Sequence, residues 1–368
     1  MTSVSVNARF RLRPVTGVER FALEVCSRLV SDPDLEVGDV SPSQNPTGLR
    51  GHAWEQFVLP RRVPRDAVLF SPCNTGPLAL RRQLVVMHDA AVWDYPDGFS
   101  ASFGHLYRRL LPRLARRAAL VATVSEFSRA RLAPRLGLPE EDILVLGNAV
   151  GEAFSPGNEE SGENPEDAPS LLCVGSMDPR KNIPRLVRAW LDLKTARRIP
   201  DNAVLKIIGG TNPKNFAALP RVEDASVEWL GRVDDEALIR RYREAAAFIY
   251  PSYYEGFGLP PLEAMACGCP VLLSRAASLP EVGGPAFAPE DPRSEGAALY
   301  FDPFNEADIG DAIARFFALD PATRDHLRRN ALARAGQFSW NAVAEKVSEA
   351  LQQLDGSPFC GLAVQKNS

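Results

Sequence analysis

The chain has 368 residues, 45% of them hydrophobic and 24% charged, with a net charge of −4. That length allows two or three domains, the composition is that of an ordinary globular protein, and no basic field points to nucleic acid as a partner. No apolar run approaches the roughly 18 residues of a spanning helix, and no charged-then-apolar leader opens the chain. The six cysteines lie in apolar contexts, and Cys267-Gly-Cys269 has the wrong spacing for a zinc knuckle, so buried free thiols in a reducing cytoplasm are expected. Any membrane contact is expected to be peripheral.

Residues 3–7 read as a first strand. A basic loop follows and ends at Gly17, and Val18, Phe21, Ala22, Val25 and Leu29 then repeat at helical spacing, with Thr16 as a cap. Gly17 and Arg20 thus stand at a helix N-terminus, either as an anion cradle or as a plain β–α turn with surface arginines. Residues 67–70 and 84–87 read as buried strands. The second runs into His88-Asp89, which serves a ligand site at a strand's carboxyl end or a locally bonded turn. A helix is expected over 101–117, with Phe103, Leu106, Leu110, Leu111 and Leu114 on one side and Pro112 kinking or dividing it. Arg108, Arg109, Arg113, Arg116 and Arg117 cover the rest, with Arg129, Arg131 and Arg135 nearby. They form a solvated face or a patch for anionic lipid head groups. Residues 120–124 and 143–146 are strands, and Ser125 caps the helix between them.

Residues 151–170 are rich in Gly, Pro, Glu and Asn and read as a linker. A strand over 171–175 leads through Arg180 and Lys181 into a helix marked by Ile183, Leu186, Val187, Trp190 and Leu191. Two adjacent cations there ask for an anion or for screening water. The strand over 204–208 ends in Gly209-Gly210. Another over 227–230 precedes Gly231-Arg232, and Asp234 opens a helix to Ala245. An apolar strand over 246–250 then enters a loop with Gly256 and Gly258, a helix opened by Pro260 and Pro261 and stopped at Gly268, and a strand over 271–273. Glu255 lies before the loop and Glu263 in the first turn. Such a helix start favours anions, although Gly-x-Gly alone is weak and a first-turn Glu often serves only the dipole. Helices over 306–317, 321–335 and 340–354 and an aperiodic tail from Gly356 complete the chain. The alternation implies an α/β fold of two doubly wound domains facing a cleft: residues 1–150, a linker 151–170, residues 171–338, a helix over 339–356 that crosses back to the first domain, and a tail 357–368.

One string is far more specific than any of these patterns. Glu255-Gly-Phe-Gly-Leu-Pro-x-Leu-Glu-Ala-Met-Ala-x-Gly-x-Pro-Val271 closely resembles the donor-site signature of the family-4 retaining glycosyltransferases, which have the GT-B fold. The resemblance covers nearly the whole chain and is tightest over 171–285. It implies that Glu255 contacts hydroxyls of the transferred sugar, that Glu263 holds the nucleotide's ribose, and that the amides around Gly256, Phe257, Gly258 and Leu259 face the sugar and diphosphate. Val174-Gly-x-x-x-x-x-Lys-Asn182 resembles the family's diphosphate-binding stretch and implies that role for Lys181, with Arg180 beside it. Ser176 stands where many relatives have an arginine, and Arg232 is the candidate substitute. The Thr16-Gly-Val-x-Arg-Phe21 stretch resembles the opening of bacterial relatives. It implies Gly17 near the diphosphate and Arg20 near the acceptor. His88-Asp89 is similar to a His-Asp pair near donor sugar and acceptor hydroxyl. The resemblance implies hexose transfer from a nucleotide-sugar donor, with GDP-mannose leading and dTDP-rhamnose or UDP-glucose open. The acceptor is a saccharide or a polyprenyl-diphosphate oligosaccharide in surface polysaccharide synthesis, at the inner membrane face. No metal or other cofactor is expected. An epimerase, hydrolase or phosphorylase of the same fold, or a non-catalytic sugar-nucleotide-binding subunit, are the alternatives.

Overall fold

The computed structural model describes residues 1–44, 46, 48–157, 168–210 and 223–356. Residues 158–167 of the expected linker, the expected tail and Cys360 lie outside the described residues. The chain divides into two compact units. One comprises Met1–Asp94, Ala101–Asn148 and the stretch from Ser339; the other comprises Tyr95–Ser100 and Ala149–Phe338.

The first unit holds β1 (Thr2–Asn7), β2 (Leu35–Val40), β3 (Val68–Ser71), β4 (Gln83–Val86), β5 (Leu120–Thr123) and β6 (Ile143–Val145). They form one sheet in the order β2-β1-β3-β4-β5-β6, every pair parallel, with Val4 opposite both Val37 and Val68. The inner strands β3 and β4 are buried throughout, as a sheet covered by helices on both faces requires. Leu111, Leu114, Val121, Leu132 and Ile143 make part of its core. The helix Ala101–Ala115 is not divided at Pro112. The proline falls in the last turn, where it removes a single ladder bond. The final helix, Trp340–Gly356, packs on the helix Gly17–Leu29 and on β1, β3 and β4. Trp340 meets Phe21 edge to face at 6.0 Å, and Asp355 accepts from Thr2 Oγ1 at 3.0 Å.

The second unit holds β7 (Ser170–Val174), β8 (Val204–Ile208), β9 (Val227–Gly231), β10 (Ala247–Tyr250), β11 (Val271–Ser274) and β12 (Ala298–Phe301). Their order is β12-β11-β10-β7-β8-β9, again all parallel. Trp190, Leu186, Ile207, Ile249, Leu272 and Phe316 anchor its core. From β7 the chain winds outward through β8 and β9. It then returns to pair β10 on the other flank of β7. The loops leaving β7 and β10 therefore diverge from adjacent strands, the position at which doubly wound sheets open a ligand crevice. These are the α/β, doubly wound sheets that the alternation of elements implied.

Candidate active site

The loop after β7 contains Asp178, whose Oδ1 accepts from the Arg180 amide at 2.9 Å and so starts the short turn Pro179–Lys181. Asn182 follows with φ of +56°, a conformation its side chain tolerates. Its buried amide donates to the carbonyls of Pro251 at 3.2 Å and Pro303 at 2.8 Å. These bonds tie the loop after β7 to the loops after β10 and β12.

Lys181 and Glu255 meet across the divergence of β7 and β10. Lys181 Nζ donates to Glu255 Oε1 at 2.6 Å and to the Tyr250 hydroxyl at 2.7 Å. Tyr250 Oη and Ser252 Oγ donate to the same carboxylate oxygen at 2.9 and 2.5 Å. Oε1 thus has three donors, whereas Oε2 accepts from none among the described residues. Burial, then the Glu255 charge, push the Tyr250 phenol well above its ordinary range, so it remains a proton donor. Lys181 reaches this point because Gly175 has no side chain. A Cβ there would sit 3.3 Å from Lys181 Cγ.

Arg180 is not drawn into this group. Its guanidinium lies on Asp178, with Nε and Nη2 at 3.0 and 2.6 Å from Oδ2. Burial opposes the Asp178 charge, yet the bonds to Arg180 hold its carboxyl below the usual range. The adjacent cations thus each have a protein carboxylate, Asp178 and Glu255, in place of the external anion or water that the sequence asked for.

Gly256, Phe257 and Gly258 form the turn into the helix Leu259–Ala266. Gly258 has φ of +110°, and a Cβ on it would lie 2.8 Å from Leu279 Cδ2. The Ser278 hydroxyl lies 2.7 Å from the Phe257 carbonyl and 3.0 Å from that of Glu255. The Phe257 ring is buried against Phe338 at 5.9 Å, so it packs the core. Glu263 is buried in the helix and accepts from the Tyr242 hydroxyl at 3.2 Å. Arg232 is exposed beyond β9, its stem 3.2 Å from where a Gly210 Cβ would be. Gly209 passes under the Gly175 carbonyl with no room for a Cβ.

In the first unit, Gly17 starts the helix after β1 and is exposed. Buried Glu19 braces this turn, accepting from the Thr16 amide at 3.2 Å and pairing with Arg13 at 2.9 Å. Arg20 follows in the same turn. His88 is buried, with Nε2 2.8 Å from the Pro72 carbonyl. A hydrogen bond in that direction places the ring proton on Nε2 and the lone pair on Nδ1. Burial keeps the imidazole below its ordinary pKa, hence neutral. Asp89 Oδ1 accepts from the Ala91 amide at 2.8 Å.

Among the described residues, no group of three or more carboxylate, imidazole or thiolate side chains is placed to hold a metal ion. The sequence contains one Asp-x-Asp triplet, Asp32-Pro-Asp34, and it caps the turn before β2, with Asp32 accepting from the Asp34 amide at 2.9 Å and from Ser348 Oγ at 2.5 Å. Tyr250, Ser252, Asp178 and Tyr242 were not legible as site residues. Tyr250 reads only as a member of the apolar strand over 246–250.

Residues 156–334 match the family model described as glycosyl transferases group 1. O-antigen chain mannosyltransferase RfbU of Salmonella typhimurium LT2 is 31% identical over 337 residues, 86% of this chain and 89% of that one. The chain belongs to the group 1 glycosyl transferases. This transferase is also 29% identical over 391 residues to O-antigen chain mannosyltransferase B of Escherichia coli, covering 93% of its own chain and 97% of the relative. WaaG, a glycosyltransferase involved in lipopolysaccharide biosynthesis, shares its fold, with a TM-score of 0.66, 17% identity and coverage of 97% of this chain and 100% of that one.

Proposed function

We propose that this transferase moves a mannosyl residue from GDP-mannose, with retention of configuration and without a metal ion. Its acceptor in this reading is a saccharide or a polyprenyl-diphosphate oligosaccharide in surface polysaccharide synthesis, met at the cytoplasmic face of a membrane. The observation that carries the reaction is the Lys181–Glu255 pair at the divergence of β7 and β10. The similarity to two O-antigen chain mannosyltransferases supports the choice of mannose.

Breaking the bond between the anomeric carbon and the phosphate oxygen leaves cationic character on the sugar and a third negative charge on the diphosphate. The Lys181 ammonium and the amides entering the helix Leu259–Ala266 supply fixed positive charge for that diphosphate. Glu255, saturated at Oε1, offers Oε2 to sugar hydroxyls. Glu263, with Tyr242 behind it, takes the ribose. In this reading the departing phosphate oxygen accepts the proton of the acceptor hydroxyl as that hydroxyl attacks from the same face, so the protein needs no general base. His88 then positions sugar and acceptor through Nδ1, with Gly17, Arg20 and Asp89 on the acceptor side and Arg180 and Arg232 as further phosphate cations.

Calorimetric titration of the protein with GDP, UDP, dTDP and ADP in the presence of chelator tests this directly. Binding of GDP alone is expected. A preference for UDP or dTDP replaces the donor, dependence on added divalent ion removes the metal-free step, and binding of none of the four rejects the site.

A further inference from the structure

Residues 48–62 form one helical rod built from Gly48–Ala53, a π-helical turn Trp54–Val58, and Leu59–Arg62. Its inward line is Gly51, Glu55 and Leu59, all buried. Glu55 is the rod's only carboxylate, and Asn7 Nδ2 at 2.7 Å and Thr75 Oγ1 at 2.8 Å consume it inside. The outward face consists of Leu49, Arg50, Ala53, Phe57, Val58, Arg61 and Arg62. Leu49 is 77% exposed, Phe57 65% and Val58 37%. The wide π turn keeps Glu55 and Leu59 facing in while Phe57 and Val58 both face out, and such turns often mark functional positions. Among the described residues, none of the three arginines is paired with a carboxylate: Arg61 donates to the Phe57 carbonyl and Arg62 to that of Ser41. The turn after β1 lies beside the rod, with Arg9 against Gly51 and Glu55, and it exposes Leu12 and Val15 as well.

We infer that this rod is an interfacial docking face for a membrane of anionic lipid, Leu49, Phe57 and Val58 entering the acyl boundary and Arg50, Arg61 and Arg62 meeting the phosphates. Large exposed apolar side chains flanked by arginines have that complementarity, and water solvates them poorly. The arginine-rich helix Ala101–Ala115 does not have it. None of its large apolar side chains is exposed. Arg108 is spent on the Val92 carbonyl, and Arg131 and Arg135 nearby are paired with Asp94. The inference rests only on the membrane-face part of the proposed function and is independent of the donor.

Vesicle flotation of the full chain tests it, using phosphatidylcholine with and without phosphatidylglycerol. Binding is expected only with the anionic lipid and is expected to fall with salt. Leu49→Ser with Phe57→Ser should weaken it at least about tenfold, and Arg50→Gln, Arg61→Gln and Arg62→Gln about fivefold each. All should retain nucleotide binding, which separates loss of docking from loss of the fold or of the donor site. A Phe57→Trp protein should show a blue-shifted emission component on anionic vesicles that the parent lacks. Absence of flotation, flotation unchanged in these variants, or loss on Arg109→Gln with Arg113→Gln instead, overturns the assignment.

Discussion

Lys181 and Glu255 share one oxygen, so their substitutions are coupled. Lys181→Ala removes the charge assigned to the diphosphate and leaves Oε1 with two hydroxyl donors. A loss of about 2 kcal/mol of transition-state stabilisation, roughly 30-fold in kcat/KM, is expected. Steady-state kinetics beside nucleotide titration checks this, and near-normal turnover in a folded variant removes Lys181 from the reaction. Glu255→Gln keeps the shape but loses the ion pair, so the loss should appear in kcat with the nucleotide affinity little changed. His88 carries a pH signature. Its folded pKa lies below the ordinary histidine value, so the unfolded chain takes up the proton first as pH falls. Stability is therefore fully present above the ordinary value and declines below it, until the folded value is reached. Denaturant titrations of His88→Asn should show a flatter pH dependence across that interval. Lys181 and Glu255 could be singled out in the sequence because the strings that contain them resemble the family's donor-site stretches; spacing alone did not assign them. Tyr250 and Ser252 could not be singled out, because whether a strand-end hydroxyl faces core or carboxylate depends on the register of β10 against β7 and β11.

At the scale of elements, the glycine turn before the helix Leu259–Ala266 is the most constrained. Gly258→Ala forces a Cβ at φ of +110° and into Leu279, and about 2 kcal/mol of lost stability is expected from the conformation alone. Thermal melting would register it, and weaker nucleotide binding should accompany it because the loop amides shift. Strands and helices were largely legible from periodicity, since buried parallel strands are short apolar runs. The rod over 48–62 was not. Its apolar residues face both inward and outward, and a π turn changes the helical period in its middle, so no single spacing describes it. The neutralisation of Arg180 by Asp178 was hidden for a related reason: a two-residue side-chain bond leaves no periodic trace.

For the whole molecule, the final helix belongs to the unit that the chain builds first. Trp340, Val343, Val347 and Leu351 are buried in it. At about 1.5–3 kcal/mol for each buried side chain, their removal approaches the entire 5–15 kcal/mol stability of a typical domain. A chain ended after Phe338 should lose the first unit's calorimetric transition and keep the second unit's, with nucleotide binding intact. Retention of both transitions would show that the helix is dispensable. The first unit also contains its own acid limit. Burial of Glu55 disfavours its charge, but His52, Arg9, Thr75 and Asn7 together lower its pKa below the usual carboxylate value. This stabilisation is present above that usual value and is lost as pH falls through the folded one. Glu55→Ala, which leaves Arg9 buried without its partner, should cost about 3 kcal/mol. The placement of the last helix also bears on how the protein is made. A ribosome delivers β1 to β6 first, yet the face of the helix Gly17–Leu29 that Trp340 covers stays bare until the helix Trp340–Gly356 has emerged. The second unit, contiguous from Ala149 to Phe338 apart from six residues, is complete sooner. Synthesis from the N-terminus should therefore yield the second unit as the first folded species, with the earlier one waiting, unfinished and in need of protection, for the helix Trp340–Gly356 to emerge.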